Sequence, residues 1–219
     1  MRLYEKSQTG SPTKLRSRRI GLFVHSLRAH DDGWTPKRIV VTNLQLPIWT
    51  MISVRPIELG DQPWVVRRLE NAFAGVTVAR KGVLIDASVL PGFVASDGGR
   101  LVGLLTYAAA SVECEVVAII STEEGREIGR SLMDAARDYA EAAGYRRLWL
   151  ITTNDNTRTI RFYQRWGMDL CAFYRHGVRR LRKVKPSIPE RGVDGIPLEH
   201  ELEFEMLLGG TVRPEVSLW

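Results

Sequence analysis

The sequence predicts an α/β three-layer fold around a mixed, mostly antiparallel central sheet. Three observations predict it. Residues 112–130, VECEVVAIISTEEGREIGR, pass from a short apolar run through a glycine-containing turn into a strongly amphipathic helix. Residues 93–109 place two apolar runs around Asp97-Gly98-Gly99, the composition of a hairpin. Residues 201–207 alternate Leu202, Phe204 and Met206 with Glu201, Glu203 and Glu205, the period of a strand. Hairpins give antiparallel neighbours and helical crossovers give parallel ones, so a chain with both builds a mixed sheet.

The elements follow in order. Residues 52–57 read as the first strand. Asp61 stands where a helix N-cap belongs, and Val65, Leu69 and Phe73 fall on one face of the helix after it. Residues 81–90 fit a short helix or a loop. The hairpin 93–96 and 101–109 comes next, then a buried strand at 116–120. The helix from Ile128 repeats its apolar side at Leu132, Ala136, Tyr139 and Ala143 and stops at Gly144. Residues 148–152 form another strand, and Asn154 or Asn156 caps a helix through Ile160, Tyr163 and Trp166 that ends at Gly167. A strand at 168–174, a short basic helix at 178–183 and the closing strand 201–207 complete the chain, with no internal repeat.

The 219 residues suffice for one well-buried domain and an appendage. The net charge of +6 is uneven: residues 1–50 hold nine Lys and Arg against three acids, whereas the remainder holds 22 of each. The high isoelectric point therefore describes the N-terminal segment. That segment is polar, basic and rich in breakers, which predicts a poorly ordered extension, 1–50, ahead of a main domain, 51–209, and a tail, 210–219. An organellar leader, a nucleic-acid-binding arm, or upstream sequence before a start at Met51 are the other readings of 1–50. No apolar run approaches the ~18 residues of a membrane span, and no apolar leader precedes a small-residue cleavage site, so a cytoplasmic protein without a membrane partner is expected. Cys114 and Cys171 lie in apolar segments and read as buried free thiols. The histidines, His25, His30, His176 and His200, show no ligand spacing, so no metal is expected. Neither a P-loop nor a dinucleotide fingerprint is present.

The turn after the 116–120 strand carries chemistry. The N–H groups at the start of a helix have no intrahelical partner and sit at the positive end of its dipole, which suits a phosphate or pyrophosphate. This stretch, AIISTEEGREIGRSLM, together with LWLITTNDNTRTIRFYQRWGM and the closing antiparallel pair, resembles the GNAT superfamily of acyl-CoA-dependent N-acetyltransferases over roughly residues 52–208. Asn156, Tyr163 and Gly167 at the family's spacing are the most specific part. The resemblance implies acetyl-CoA as acyl donor, a small-molecule or protein amine as acceptor, and direct attack in a ternary complex.

The resemblance also assigns candidate residues. The family's pyrophosphate loop, Gln/Arg-x-x-Gly-x-Gly/Ala, corresponds to Glu124, Gly125, Arg126, Glu127, Ile128 and Gly129, with Arg130 following. Glu124 and Glu127 depart from it. A carboxylate in place of the middle glycine restricts the backbone and repels phosphate, while Gly125 restores freedom and Arg126 and Arg130 restore positive charge. Ile119 and Ser121 would offer backbone groups to the pantetheine arm, and Asn156 a side chain, unless it is only a helix cap. Tyr163 resembles the general acid that protonates the departing thiolate, and otherwise reads as a tyrosine packed on the sheet. Glu113 and Glu115 share a strand face. Glu113 falls at the family's general base and is slightly favoured over Glu115, and exposed carboxylates at a strand end are the plainer reading. The basic run of Arg175, Arg179, Arg180, Arg182, Lys183 and Lys185 reads as a solvated helix face or as an attraction for an acidic acceptor or nucleotide phosphate. Two rival functions stand beside transfer: an acyl-CoA-binding domain without turnover, and a nucleic-acid-associated protein using the basic arm. The sequence leaves the oligomeric state open, and only the general frequency of dimers favours a homodimer.

Overall fold

The computed structural model describes residues 52–123 and 125–209; the predicted extension, the predicted tail and Glu124 lie outside the described residues. A seven-stranded mixed sheet runs through the molecule in the order β1-β4-β5-β6-β7-β9-β8. Its strands are β1 (Ser53–Pro56), β4 (Gly92–Asp97), β5 (Arg100–Ala110), β6 (Glu113–Ser121), β7 (Arg147–Thr153), β8 (Asp169–Tyr174) and β9 (Glu201–Leu207). Only β6 and β7 pair in parallel, because the helix α2 (Ile128–Ala142) crosses over between them. Gly98 and Gly99, at φ 56° and 87°, make the two-residue turn that sets Asp97 opposite Arg100.

Helices cover both faces. On one, α2 buries Ile128, Leu132, Met133, Ala136 and Ala140 against Leu105, Leu148, Leu150 and Phe204. Tyr139 lies on the margin of this stripe with its ring tilted against Tyr107, centroids 4.7 Å apart, and Ala143 is exposed beyond the last turn. The helix α3 (Thr157–Trp166) joins the same core through Ile160, Phe162 and Tyr163. On the other face, α1 (Gln62–Phe73) sets Val65 and Leu69 against Val94, Leu104, Val117 and Ala118. Asp61 occupies the N-cap position of α1 but its carboxylate turns back to Arg55, at 2.7 and 2.9 Å, and to the Glu58 N–H.

Two expectations are corrected. Residues 81–90 contain a strand that neither reading offered, preceded by a turn and followed by one turn of 3-10 helix at Ala87–Val89. Strands β2 (Thr77–Arg80) and β3 (Val83–Asp86) form a separate two-stranded hairpin, turned at Lys81 and Gly82 with φ of 46° and 79°. A lysine in the left-handed region is an uncommon turn residue, so the turn carries little sequence signal. Cys114 is buried as expected, but Cys171 is exposed. It is the extra residue where the register of edge strand β8 slips between Leu170 and Ala172. The short helix α4 (Gly177–Leu181) follows β8. Among the described residues no helix is long and apolar enough to cross a membrane.

Candidate active site

The site begins with a fault in the sheet. β6 pairs with β7 only from Glu113 opposite Arg147 to Val116 opposite Leu150, although both strands run on, to Ser121 and Thr153. On the other edge of β6 the register with β5 skips Val117, which makes Val117 the extra residue of a bulge. A bulge bends its strand and sharpens the local twist. Beyond Val116, β6 therefore swings away from β7 and opens a wedge with backbone unpaired on one side. Ile119 and Ser121 lie on this stretch, and both line a cavity of about 940 Å³ that enters the wedge.

The loop after β6 forms one wall. Gly125 at φ 74° and Glu127 at φ 59° both take the left-handed conformation, and α2 starts at Ile128 with no side chain capping its first turn. The first N–H groups of a helix have no acceptor within the helix, and Ile128, Gly129 and Arg130 of the first turn of α2 line the cavity. This donor set suits a pyrophosphate. The Glu127 side chain is 75% exposed and lies 3.8 Å from Arg130. Arg126, expected to offset the acids, is itself held by Asp97 at 2.5 Å and Glu123 at 2.9 Å. Gly129 and Asn156 also face the cavity. Asn156 sits at the N-cap of α3 without capping it, and its Oδ1 instead accepts the Thr159 hydroxyl at 2.5 Å. Asn154 ties the strand connection, donating to the Pro197 carbonyl and accepting from the Glu199 and His200 N–H groups.

Tyr163 lines the same cavity from α3 and is 4% exposed. Its ring lies against Phe162 and Phe204. Burial raises the phenol well above its ordinary pKa, so it holds its proton at neutral pH. The two candidate bases separate. Glu115 is buried, lines the cavity and is gripped by Arg80 of the β2–β3 hairpin. Burial pushes its carboxyl up, while Arg80 and Lys81 act the other way. Glu113 is not brought to the cavity: its side chain is 43% exposed and meets Arg147 at 3.4 Å. The hairpin covers one carboxylate and leaves the other at the sheet's end.

The sequence reading passes over most of the charged face around Glu115. Arg147 on β7 reaches Glu203 and Glu205, both at 2.5 Å, and Lys81 reaches Glu203 at 3.0 Å. Trp149 lies beneath Arg80, Lys81 and Arg147. Glu201 is buried and lines the cavity. In the basic run, Arg182 donates to the Ile188, Pro189 and Leu198 carbonyls, and Lys185 to the Phe73 and Thr77 carbonyls, so neither is a free solvated charge. Antiparallel pairing of β8 and β9 also gathers His176, Glu199 and His200, with one nitrogen or oxygen of each within 4.8 Å of the others. His200 Nδ1 accepts the His176 backbone N–H at 2.9 Å.

The family model described as acetyltransferase (GNAT) family matches residues 60–168. An uncharacterized protein of Bacillus subtilis, YdhI, is 35% identical over 120 residues, which are 54% of this chain and 75% of that protein. An IAA acetyltransferase from Bacillus cereus shares the fold at a TM-score of 0.56 and 18% identity, covering 72% of this chain and all (100%) of its own. A GNAT family acetyltransferase from Elizabethkingia anophelis, solved with acetyl-CoA bound, gives 0.55 and 18%, covering 72% and 98%.

Proposed function

The chain belongs to the GNAT acetyltransferase family, and from that premise we propose that it transfers an acetyl group from acetyl-CoA to a primary amine in a ternary complex. One observation carries the reading. One cavity is lined by the first turn of α2, the run of β6 that β7 does not pair, and Tyr163 and Glu115, which supports opposite proton duties for these two side chains. The residues present fit the donor. The first turn of α2 with the Gly125 turn would hold its pyrophosphate, and the Ile119 and Ser121 backbone with Asn156 would hold its pantetheine arm. When bound, acetyl-CoA supplies an activated acyl carbon on a sulfur leaving group.

The chain's own part is to orient and to move two protons. Glu115 takes one from the acceptor ammonium, because an amine attacks only when neutral, and a carboxyl raised by burial is a stronger base than a free one. Tyr163 Oη keeps a proton available for the departing sulfur. Neither cysteine lines the cavity, so no covalent enzyme intermediate is invoked. Calorimetry with acetyl-CoA, then thiol release across a panel of primary amines, tests the proposal. Binding and amine-dependent thiol release are expected, and absence of binding at millimolar ligand refutes it.

A further inference from the structure

The acids of β9 look alike in sequence and differ in the fold. Glu203 is paired with Lys81 and Arg147, and Glu205 with Arg147. On β6, Glu115 is paired with Arg80. Glu201 is 2% exposed, and among the described residues it has no cationic side chain within ion-pair distance. Its Oε1 accepts only the Lys81 backbone N–H, at 2.8 Å. Arg180, Arg80 and Lys81 act on it from further away, and burial still lifts its carboxyl above the ordinary range. Buried carboxylates are normally matched by a cation, because desolvating an unmatched charge is costly.

Glu201 also faces the cavity. Room is kept for it: a Cβ on Gly177, the first residue of α4, would lie 2.3 Å from Glu201 Oε2. Phe73, Val78, Val178 and Leu181 contribute apolar surface to the same lining. Two cations of this lining are already engaged, Arg80 by Glu115 and Lys185 by the Phe73 and Thr77 carbonyls at 2.7 and 2.6 Å. Asp155, the other buried carboxylate of the cavity without an ion pair, is satisfied on both oxygens by the Thr153 hydroxyl and the Val193 N–H. Glu201 has one such donor, and with apolar residues in the same lining it selects a ligand that brings a positive charge on a hydrocarbon chain.

We propose that Glu201 is the acceptor-recognition carboxylate of this site and that the acceptor is a di- or polyamine, held at Glu201 by one ammonium while another of its nitrogens is acetylated. The proposal rests on the transferase reading above. Two nitrogens are required because the nitrogen that matches the charge of Glu201 must stay protonated to do so, and a protonated amine has no lone pair to attack with. The nitrogen held by Glu201 is therefore not the one that reacts, and methylenes between the two lie against the apolar residues of the lining.

The test uses the full chain and calorimetry with α,ω-diaminoalkanes of three to six carbons against n-alkylamines of matched length. At least one diamine should bind about ten- to a hundredfold more tightly than its monoamine, the range of a charge-assisted contact. Glu201→Gln should erase that advantage, since the amide still accepts the Lys81 N–H but carries no charge. Equal binding of diamines and monoamines by the unaltered protein overturns the proposal without any variant. A diamine advantage that survives in Glu201→Gln overturns it as well. Coenzyme A is titrated into the same samples. Lost coenzyme A binding in the unaltered protein refutes the donor reading, whereas a flat diamine series beside intact coenzyme A binding refutes the Glu201 assignment alone.

Discussion

Replacing Glu127 with glycine separates charge from conformation at the mouth of the donor site. Glu127 holds φ 59° at the N-cap of α2, with its side chain in solvent. A non-glycine residue in that region is strained by about 1–2 kcal/mol, whereas glycine adopts it freely but loses about 0.5–1 kcal/mol more backbone entropy on folding. The substitution also removes a carboxylate from the positive end of α2, worth about 0.3–1 kcal/mol, and a loose pair with Arg130. These contributions nearly cancel, so the thermal midpoint should move by only a few degrees. Affinity for coenzyme A should change more. In water, two unit charges about 8 Å apart repel by about 0.5 kcal/mol, so two pyrophosphate charges near the carboxylate cost about 1 kcal/mol, or about fivefold in affinity. Ions at about 0.15 M screen over about 8 Å and should leave less than a twofold difference. Calorimetry at low and at physiological salt reads both numbers. Equal binding by Glu127→Gly at low salt refutes the reasoning by showing that the carboxylate does not act on the donor, and weaker binding refutes it by giving the carboxylate a positive role, through its placement of Arg130.

Four further outcomes are expected. Tyr163→Phe keeps the buried ring and loses the proton, so kcat should fall by about 10²–10⁴-fold with coenzyme A affinity unchanged; full activity in a thiol-release assay removes Tyr163 from the acid role. A carboxylate base works only when ionised, so kcat/KM climbs with pH through the Glu115 pKa. Burial has raised that pKa and Arg80 restrains it, so Arg80→Gln should move the acidic limb to higher pH and Glu115→Gln should abolish it; a limb unmoved by both excludes Glu115 as the base. Gly177→Ala drives a methyl to 2.3 Å from Glu201 Oε2, and relieving that overlap should cost about 1–3 kcal/mol, seen in calorimetry as a midpoint lower by several degrees. Leu132→Ala empties a fully buried position on α2 and should cost about 3–5 kcal/mol in denaturant unfolding; a loss under 1 kcal/mol would mean that the core collapses to fill the space.

What the sequence makes legible is local. The two-residue glycine turn, the amphipathic period of α2, the stop at Gly167 and the alternation of 201–207 are each written within a few residues, and each appears in the structure where the pattern places it. The donor loop is legible for the same reason, since strand, turn and helix are contiguous. Glu113 and Glu115 show where local reading ends. Period two puts both on one face, and nothing near them in sequence says which one Arg80 covers.

The acceptor side has almost no local signature. Arg80, Glu115, Lys185 and Glu201 meet at one cavity from four separate segments. The acids of β9 alternate with apolar residues as they would on a solvated strand, yet Glu201 and Glu203 are buried. A period identifies which residues share a face, not whether another element covers that face. Here the β2–β3 hairpin covers it, and its left-handed Lys81 sends one N–H to Glu201 and its ammonium to Glu203. The turn at Lys81 is thus the one least visible in the sequence and also the one that decides the character of the acids beneath it. A solvated Glu201 would need no partner. Covered and left without a cation, it becomes the group that asks for one.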